Sequence, residues 1–228
     1  MNAAMDGLKS LRDHHADWLL TLLTALLILM LFVLAPLLAA GHLVYQGLSV
    51  AGLLAMIGGM LIISTSPVAL TLMAVALVAN VCVLFWRINH PPWPHDLYLV
   101  AGGWLVASLT LGTVIAGAVF KPGLVTYHRI LGAILLYLLI ALAFTTLFAF
   151  VGLTIPSSFK GIAFEEELTL VNSIIYLSFV TLTSTGYGDI VPVHPLARSL
   201  CNLESVIGQL FPATLLARVV TLQNQVRA

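Results

Sequence analysis

The sequence predicts an all-α membrane protein: six transmembrane helices plus a re-entrant half-helix that leads into an extended segment. Three observations predict it. The 228 residues are 61% hydrophobic and only 8% charged, whereas a soluble domain carries about 25% charged residues. With a mean hydropathy of +1.08, most of the chain must be solvated by a bilayer rather than by water. Six apolar runs are separated by polar, proline or glycine breaks, and a further apolar run between the last two is too short to cross and ends in hydroxyls and glycines.

A helix needs about 20 apolar residues to cross the hydrocarbon core. The first run, Trp18 to Ala40, is too long for a signal-peptide core and has no cleavage pattern at its end, so it reads as a retained membrane helix, with Pro36 placed to kink it. The second, Leu48 to Ile63, is short and holds Gly52, Gly58 and Gly59, small residues that let helices approach closely. In the third, Pro67 to Trp86, Pro67 suits a first-turn position and Ser66 can cap it. Asn89 to Asp96 is a stiff, proline-rich loop. The fourth run, Leu97 to Phe120, is stopped by Lys121-Pro122-Gly123. The fifth is Ile130 to Ile155 and the sixth Leu196 to Leu222. Between these two, Pro156 to Glu167 is a polar loop, and Leu168 to Thr183 is the short apolar run. Gly186, Gly188 and Pro192 break any helix beyond it. Irregular backbone at membrane depth is tolerated only inside protein or along a water-filled cavity.

Composition also excludes. The formal net charge is zero and no basic run exists, which argues against a nucleic-acid partner. Cys82 and Cys201 fall in apolar runs and read as buried reduced thiols, with no spacing for a metal site or a disulfide framework. The histidines at 14, 15, 90, 95 and 194 read as terminal or loop residues. With the N-terminus in the cytoplasm, Lys9, Arg12, Lys121, Arg129, Arg218 and Arg227 lie inside and Arg87, Lys160 and Arg198 outside. That bias favours cytoplasmic termini and an outward-facing re-entrant loop. Short loops and low charge suggest a multi-pass protein of a bacterial plasma membrane.

Thr183-Ser184-Thr185-Gly186-Tyr187-Gly188-Asp189 resembles the selectivity-filter signature of tetrameric potassium channels, whose usual core is Thr-Val-Gly-Tyr-Gly. The physics fits the residue types. A dehydrated ion needs carbonyl oxygens in place of its water shell. Pointing successive carbonyls at one axis demands backbone conformations that a Cβ resists, and Gly186 and Gly188 supply them. The resemblance covers the last hundred residues and implies K+ ligation by the carbonyls of Ser184, Thr185, Gly186 and Tyr187, in a filter running to Gly188. The Ser184 hydroxyl would complete the innermost site. The half-helix would aim the negative end of its dipole at the cavity. The resemblance further implies a homotetramer in lipid, with permeant K+ and no other cofactor. Serine at 184 keeps the hydroxyl but loses the methyl that fixes its rotamer. Thr185 puts a hydroxyl where the family has valine or isoleucine.

Several residues would support the filter. Tyr187 should turn away from the pore and brace the strand, with Tyr176 and Asp189 beside it. Relatives often supply a bracing carboxyl from the half-helix, where this chain has Val180. Glu204, the acidic residue inside the sixth span, could supply it instead, bonded to Thr185 or to half-helix hydroxyls; the plainer reading is that it reaches water or Arg198 of a neighbouring subunit. Gly208 and Pro212 stand where inner helices of the family hinge, and equally suit ordinary packing. Three parts follow: a cytoplasmic segment 1–17, a four-helix domain 18–122, and a pore domain 123–228. The four-helix domain resembles a voltage sensor, yet its fourth span holds no Lys or Arg. Steep voltage gating needs about 3–4 moving charges per subunit, so weak voltage dependence is expected. No nucleotide- or calcium-binding domain is read after the sixth span.

Two other readings stay open: a non-selective cation channel, and an intramembrane aspartyl protease, because Gly186-Tyr187-Gly188-Asp189 also fits a Gly-x-Gly-Asp pattern. A protease of that kind needs a second aspartate facing the first. Asp6, Asp13, Asp17 and Asp96 all sit at span edges or in the N-terminal tail, so no enzymatic activity is expected.

Overall fold

Proline shapes the first span. Residues 20–29 are α-helical, Met30–Leu34 form a π-helical turn and Ala35–Ala39 return to α-helix; together they are α1. Pro36 has no N–H to offer the carbonyl four residues back, and its ring crowds that carbonyl. The widened turn just before it relieves both problems, and the Ala35 N–H reaches Met30 instead. The computed structural model describes residues 20–40, 48–63, 66–90, 95–120, 127–162 and 167–227. The expected N-terminal segment 1–17, the stop at Lys121-Pro122-Gly123 and most of the proline-rich loop lie outside the described residues.

The remaining helices follow the apolar runs. They are α2 (Leu48–Ile63), α3 (Pro67–Asn89), α4 (Asp96–Val119), α5 (Tyr127–Thr154), the half-helix α6 (Glu167–Leu182) and α7 (Pro195–Arg227). Among the described residues five helices, α1, α3, α4, α5 and α7, are long and apolar enough to cross a membrane. The 16 residues of α2 rise only about 24 Å as an α-helix, short of a ~30 Å core. At α3 the Ser66 side chain accepts from the Ala69 N–H and Pro67 occupies the first turn, as the sequence indicated.

Arg87 in the last turn of α3 and Asp96 in the first turn of α4 form an ion pair at 3.0 Å, with both side chains largely buried. Each charge also suits the helix end it occupies. The two helices approach closely at Gly103, where any Cβ would strike the Asn80 amide. Small residues at such crossings replace the hydrophobic drive that lipid removes. The buried stripe of α4, including Ala107, Leu111, Ile115 and Val119, packs with Leu135 and Leu139 of α5. Cys201 is buried, but Cys82 is exposed, which corrects the expectation for that thiol. On a helix facing lipid, an apolar run buries only one of its faces.

The C-terminal half has its own core. Phe144 and Phe148 of α5, Leu170, Ile174 and Leu177 of α6, and Ala197 and Cys201 of α7 enclose Phe159. Phe159 meets Phe148 edge-on, ring centroids 5.7 Å apart, which fixes β1 (Phe159–Lys160) to α5. Two-residue β1 then pairs antiparallel with β2 (Val191–Pro192), a pairing absent from the sequence reading of this loop. The degree of enclosure separates the helices: 61% of the apolar window of α5 is buried, against 17% for α7. Leu203, Val206, Leu210 and Leu216 of α7 are all more than half exposed, so one side of α7 is an apolar face that the single chain leaves open.

Candidate functional site

The end of α6 is built by its last carbonyls. The Ser184 N–H donates to the Thr181 carbonyl at 2.9 Å and the Thr185 N–H to the Val180 carbonyl at 2.9 Å. These two bonds make a Schellman cap, which requires a left-handed residue at position 184. Ser184 takes that conformation, with φ +55°. Gly186 (φ +57°) and Gly188 (φ +79°) are left-handed too, while Thr185 and Tyr187 between them are not. Alternation with a period of two turns successive carbonyls toward the same side, the arrangement an ion-dehydrating strand needs. The sequence pointed to the two glycines; it gave no sign of the third position, because a serine stands there.

Hydroxyl protons can be followed one at a time. Thr183 Oγ1 donates to the Phe179 carbonyl at 2.7 Å. Its single proton is then used, so at the 2.8 Å contact between the two hydroxyls Thr185 donates to Thr183. The extra hydroxyl of Thr185 is therefore satisfied within the strand, and the bond expected from Glu204 to Thr185 is absent. Glu204 meets the other partner expected for it, a half-helix hydroxyl: that of Ser178, 2.5 Å from its Oε1. The reading in which Glu204 reaches water or Arg198 is also corrected. Glu204 is fully buried, and Arg198 Nε donates to the Pro192 carbonyl. The reason is helical phase: Ala197, Cys201, Glu204 and Gly208 share the buried stripe of α7.

Ser178 also lies 2.8 Å from the Ala141 carbonyl of α5, so its single proton is shared between that carbonyl and Glu204 Oε1, where α5, α6 and α7 meet. Glu204 Oε2 has no hydrogen-bond partner in the single chain. The removal of either side chain then has unequal consequences. Ser178→Ala strips the carboxyl of its remaining partner, and an orphaned buried polar group costs about 1–3 kcal/mol. Glu204→Leu leaves Ser178 its bond to Ala141 and fills the space with apolar atoms, a replacement that is often neutral. Thermal unfolding in detergent should show Ser178→Ala as the less stable of the two, although it is the smaller change. The double variant should match Glu204→Leu; the reverse ranking would show that Ser178 does not support the carboxyl.

The outer side of the strand is pinned as well. Tyr187 stacks on Tyr176, centroids 6.2 Å apart and planes 6° apart, and the Tyr176 hydroxyl bonds the Asp189 side chain. Gly161 (φ +93°) lies against the Asp189 carbonyl, where a Cβ would not fit. The Val193 and His194 N–H groups both donate to the Ser158 carbonyl, at 2.8 and 3.2 Å. On the inner side, Gly208 brings α7 against the last residue of α6: any Cβ there would run into the Leu182 carbonyl. That carbonyl also accepts from Tyr137 at 3.4 Å. One residue further along α7, Gln209 Nε2 donates to Ser184 Oγ at 3.0 Å, a contact the sequence reading missed. α7 runs as one helix through Gly208 and Pro212.

Residues 134–223, which span this assembly, match the family described as ion channel. Two curated relatives align over part of the chain: protein LctB of Bacillus caldotenax, 36% identical over 25% of this chain, and protein LctB of Geobacillus stearothermophilus, 37% identical over 28%. The chain spans 42% and 45% of the length of these relatives. No solved structure matches the chain.

Proposed function

We propose that this membrane protein, which carries an ion-channel domain over residues 134–223, is a potassium-selective channel that conducts passively through a filter of Ser184, Thr185, Gly186, Tyr187 and Gly188. One observation carries the reading: left-handed backbone alternates at Ser184, Gly186 and Gly188 directly beyond the C-terminal end of an apolar half-helix. The carbonyls of Ser184, Thr185, Gly186 and Tyr187 ligate K+ in successive layers. The partial negative charge at the end of α6 favours a cation in the cavity below. Tyr176 and Asp189 hold the outer part of the strand, and Glu204 holds α7 against α6 behind it. No catalytic role is assigned to any residue: Asp189 bonds Tyr176, and Asp96 pairs with Arg87.

One strand offers one carbonyl per layer, while an ion needs a ring of them, and cyclic symmetry of four copies supplies it. The open apolar face of α7, with Leu203, Val206 and Leu210, is suited to meet a second copy. The proposed homotetramer spans a plasma membrane with both termini in the cytoplasm. In that arrangement α2 acts as a shorter sixth span, and α1 to α4 form a peripheral domain without gating arginines. Purified protein in lipid bilayers should give a reversal potential close to the K+ equilibrium value under bi-ionic K+/Na+ conditions. Native mass measurement of the same sample should give four copies. A reversal potential near zero would select the non-selective cation channel, and a conducting monomer or dimer would remove the fourfold filter.

A further inference from the structure

We propose that Gln209 is the positioning residue for the innermost ion ligand, and that it does for Ser184 what a side-chain methyl would otherwise do. The proposal rests on the filter reading above and concerns how that filter holds its inner oxygen. The Schellman cap forces residue 184 to φ +55°. A β-branched residue is a steric outlier at positive φ, and serine is tolerated more readily. The backbone therefore favours the serine. Its consequence is a freely turning side chain: without a second heavy atom on Cβ, three staggered rotamers are open to the hydroxyl. An ion ligand that turns away from the axis is lost as a ligand.

Gln209 addresses that freedom. Its Nε2 donates to Ser184 Oγ at 3.0 Å, occupying one lone pair and leaving the other for a cation. The position of Gln209 is itself fixed. Gly208 seats α7 on the backbone of Leu182, and the next residue consequently lies under the first residue of the filter. Both partners are exposed in the single chain, so neither is held in its core, and on the filter reading both face the pore. The inner helix thus has a direct hold on the filter, separate from the buried Glu204–Ser178 contact on another side of the same helix.

A cycle of full-length variants in lipid bilayers tests this: native, Gln209→Leu, Ser184→Thr and the double. Each is scored by its K+ to Na+ permeability ratio. Gln209→Leu alone should lower the ratio tenfold or more. With threonine at 184 restricting its own rotamer, the same change should lower it less than twofold. If the threonine variant does not assemble, Ser184→Ala takes its place; with no hydroxyl to hold, Gln209→Leu should again act less than twofold. Equal losses in both backgrounds, or no loss in either, would overturn the proposal. Should the native channel fail to distinguish K+ from Na+, the functional reading fails by itself. The same cycle is then read on unitary conductance, where coupling between 184 and 209 is expected at the same ratio and additivity refutes it.

Discussion

Gly208→Ala should prevent stable assembly of the proposed tetramer. The added methyl runs into the Leu182 carbonyl oxygen and would also lie 3.1 Å from the Leu182 Cα. Neither atom can give way easily. The last carbonyls of α6 are held by the cap at Ser184 and Thr185, and the Leu182 carbonyl accepts from Tyr137. Overpacking costs about 1–3 kcal/mol per site, and the proposed fourfold assembly would meet it four times, so about 4–12 kcal/mol would act on one tetramer. Size-exclusion profiles and thermal dissociation in detergent should show fewer intact tetramers and a lower midpoint. The hinge reading of the same glycine expects the opposite. Alanine is a better helix former than glycine by about 0.5–1 kcal/mol, so a hinge variant would assemble normally and open less. Pro212→Ala separates the two further, because it gives the Gly208 carbonyl back a helical donor and adds no clash. A Gly208→Ala tetramer as stable as the native one would assign the glycine to bending rather than to packing.

The difference between what was legible and what was not lies in sequence distance. Helix positions follow from local composition: the apolar run Leu97 to Phe120 places α4, found at Asp96–Val119, and the run Leu168 to Thr183 places the half-helix, found at Glu167–Leu182. The proposed filter stands out because two glycines and a tyrosine at fixed spacing express a backbone requirement directly. Ser184 carries the same requirement silently, since φ at that position is set by hydrogen bonds to Val180 and Thr181 rather than by its own side chain. The π-helical turn in α1 was visible only as a proline that should disturb the helix; whether a helix kinks or widens depends on its neighbours. Phe32 in that turn lies against Phe179 of the half-helix, centroids 4.8 Å apart, so packing across α1 and α6 accompanies the choice.

The site contacts were the least legible, for one shared reason. Ser178 and Glu204 are 26 residues apart, and Ser184 and Gln209 are 25 apart. Each contact depends on how α7 is rotated about its axis beside α6. Composition says that α7 is apolar and that Glu204 should find a hydroxyl. It does not say which hydroxyl, because Ser178, Thr181, Thr183 and Thr185 are all candidates until the phase is known. Gly208 fixes that phase. With its backbone seated on Leu182, Glu204 one turn earlier faces Ser178, and Gln209 one residue later faces Ser184. A single close approach therefore determines both polar contacts.

Gly186→Ala and Gly188→Ala should each abolish selective conduction, and for a different reason from Gly208. No atom lies within 4 Å of a Cβ built at either position in the single chain, so the penalty there is conformational and not steric crowding. Holding an L-residue left-handed costs roughly 1–2 kcal/mol. In the proposed ring of four copies that makes about 4–8 kcal/mol, comparable with the whole stability of a typical domain. The strand can escape by rotating the residue back to negative φ, which turns the neighbouring carbonyl off the axis and removes one ring of ligands. Each variant should then assemble but carry less than a tenth of the native K+ current, with a reversal potential moved toward zero. Ser184 supplies the internal comparison. It already sits at φ +55° with a Cβ, supported by the α6 cap, so Ser184→Gly should relieve strain and leave the backbone of the filter as it is, while deleting the hydroxyl. Loss of the innermost ion site with the outer sites retained is the expected pattern, visible as ion density in structures of the variant soaked in K+ or Rb+. If Gly188→Ala conducts as the native channel does, the left-handed alternation is not what aims the carbonyls, and the filter reading of Ser184 to Gly188 would have to be abandoned.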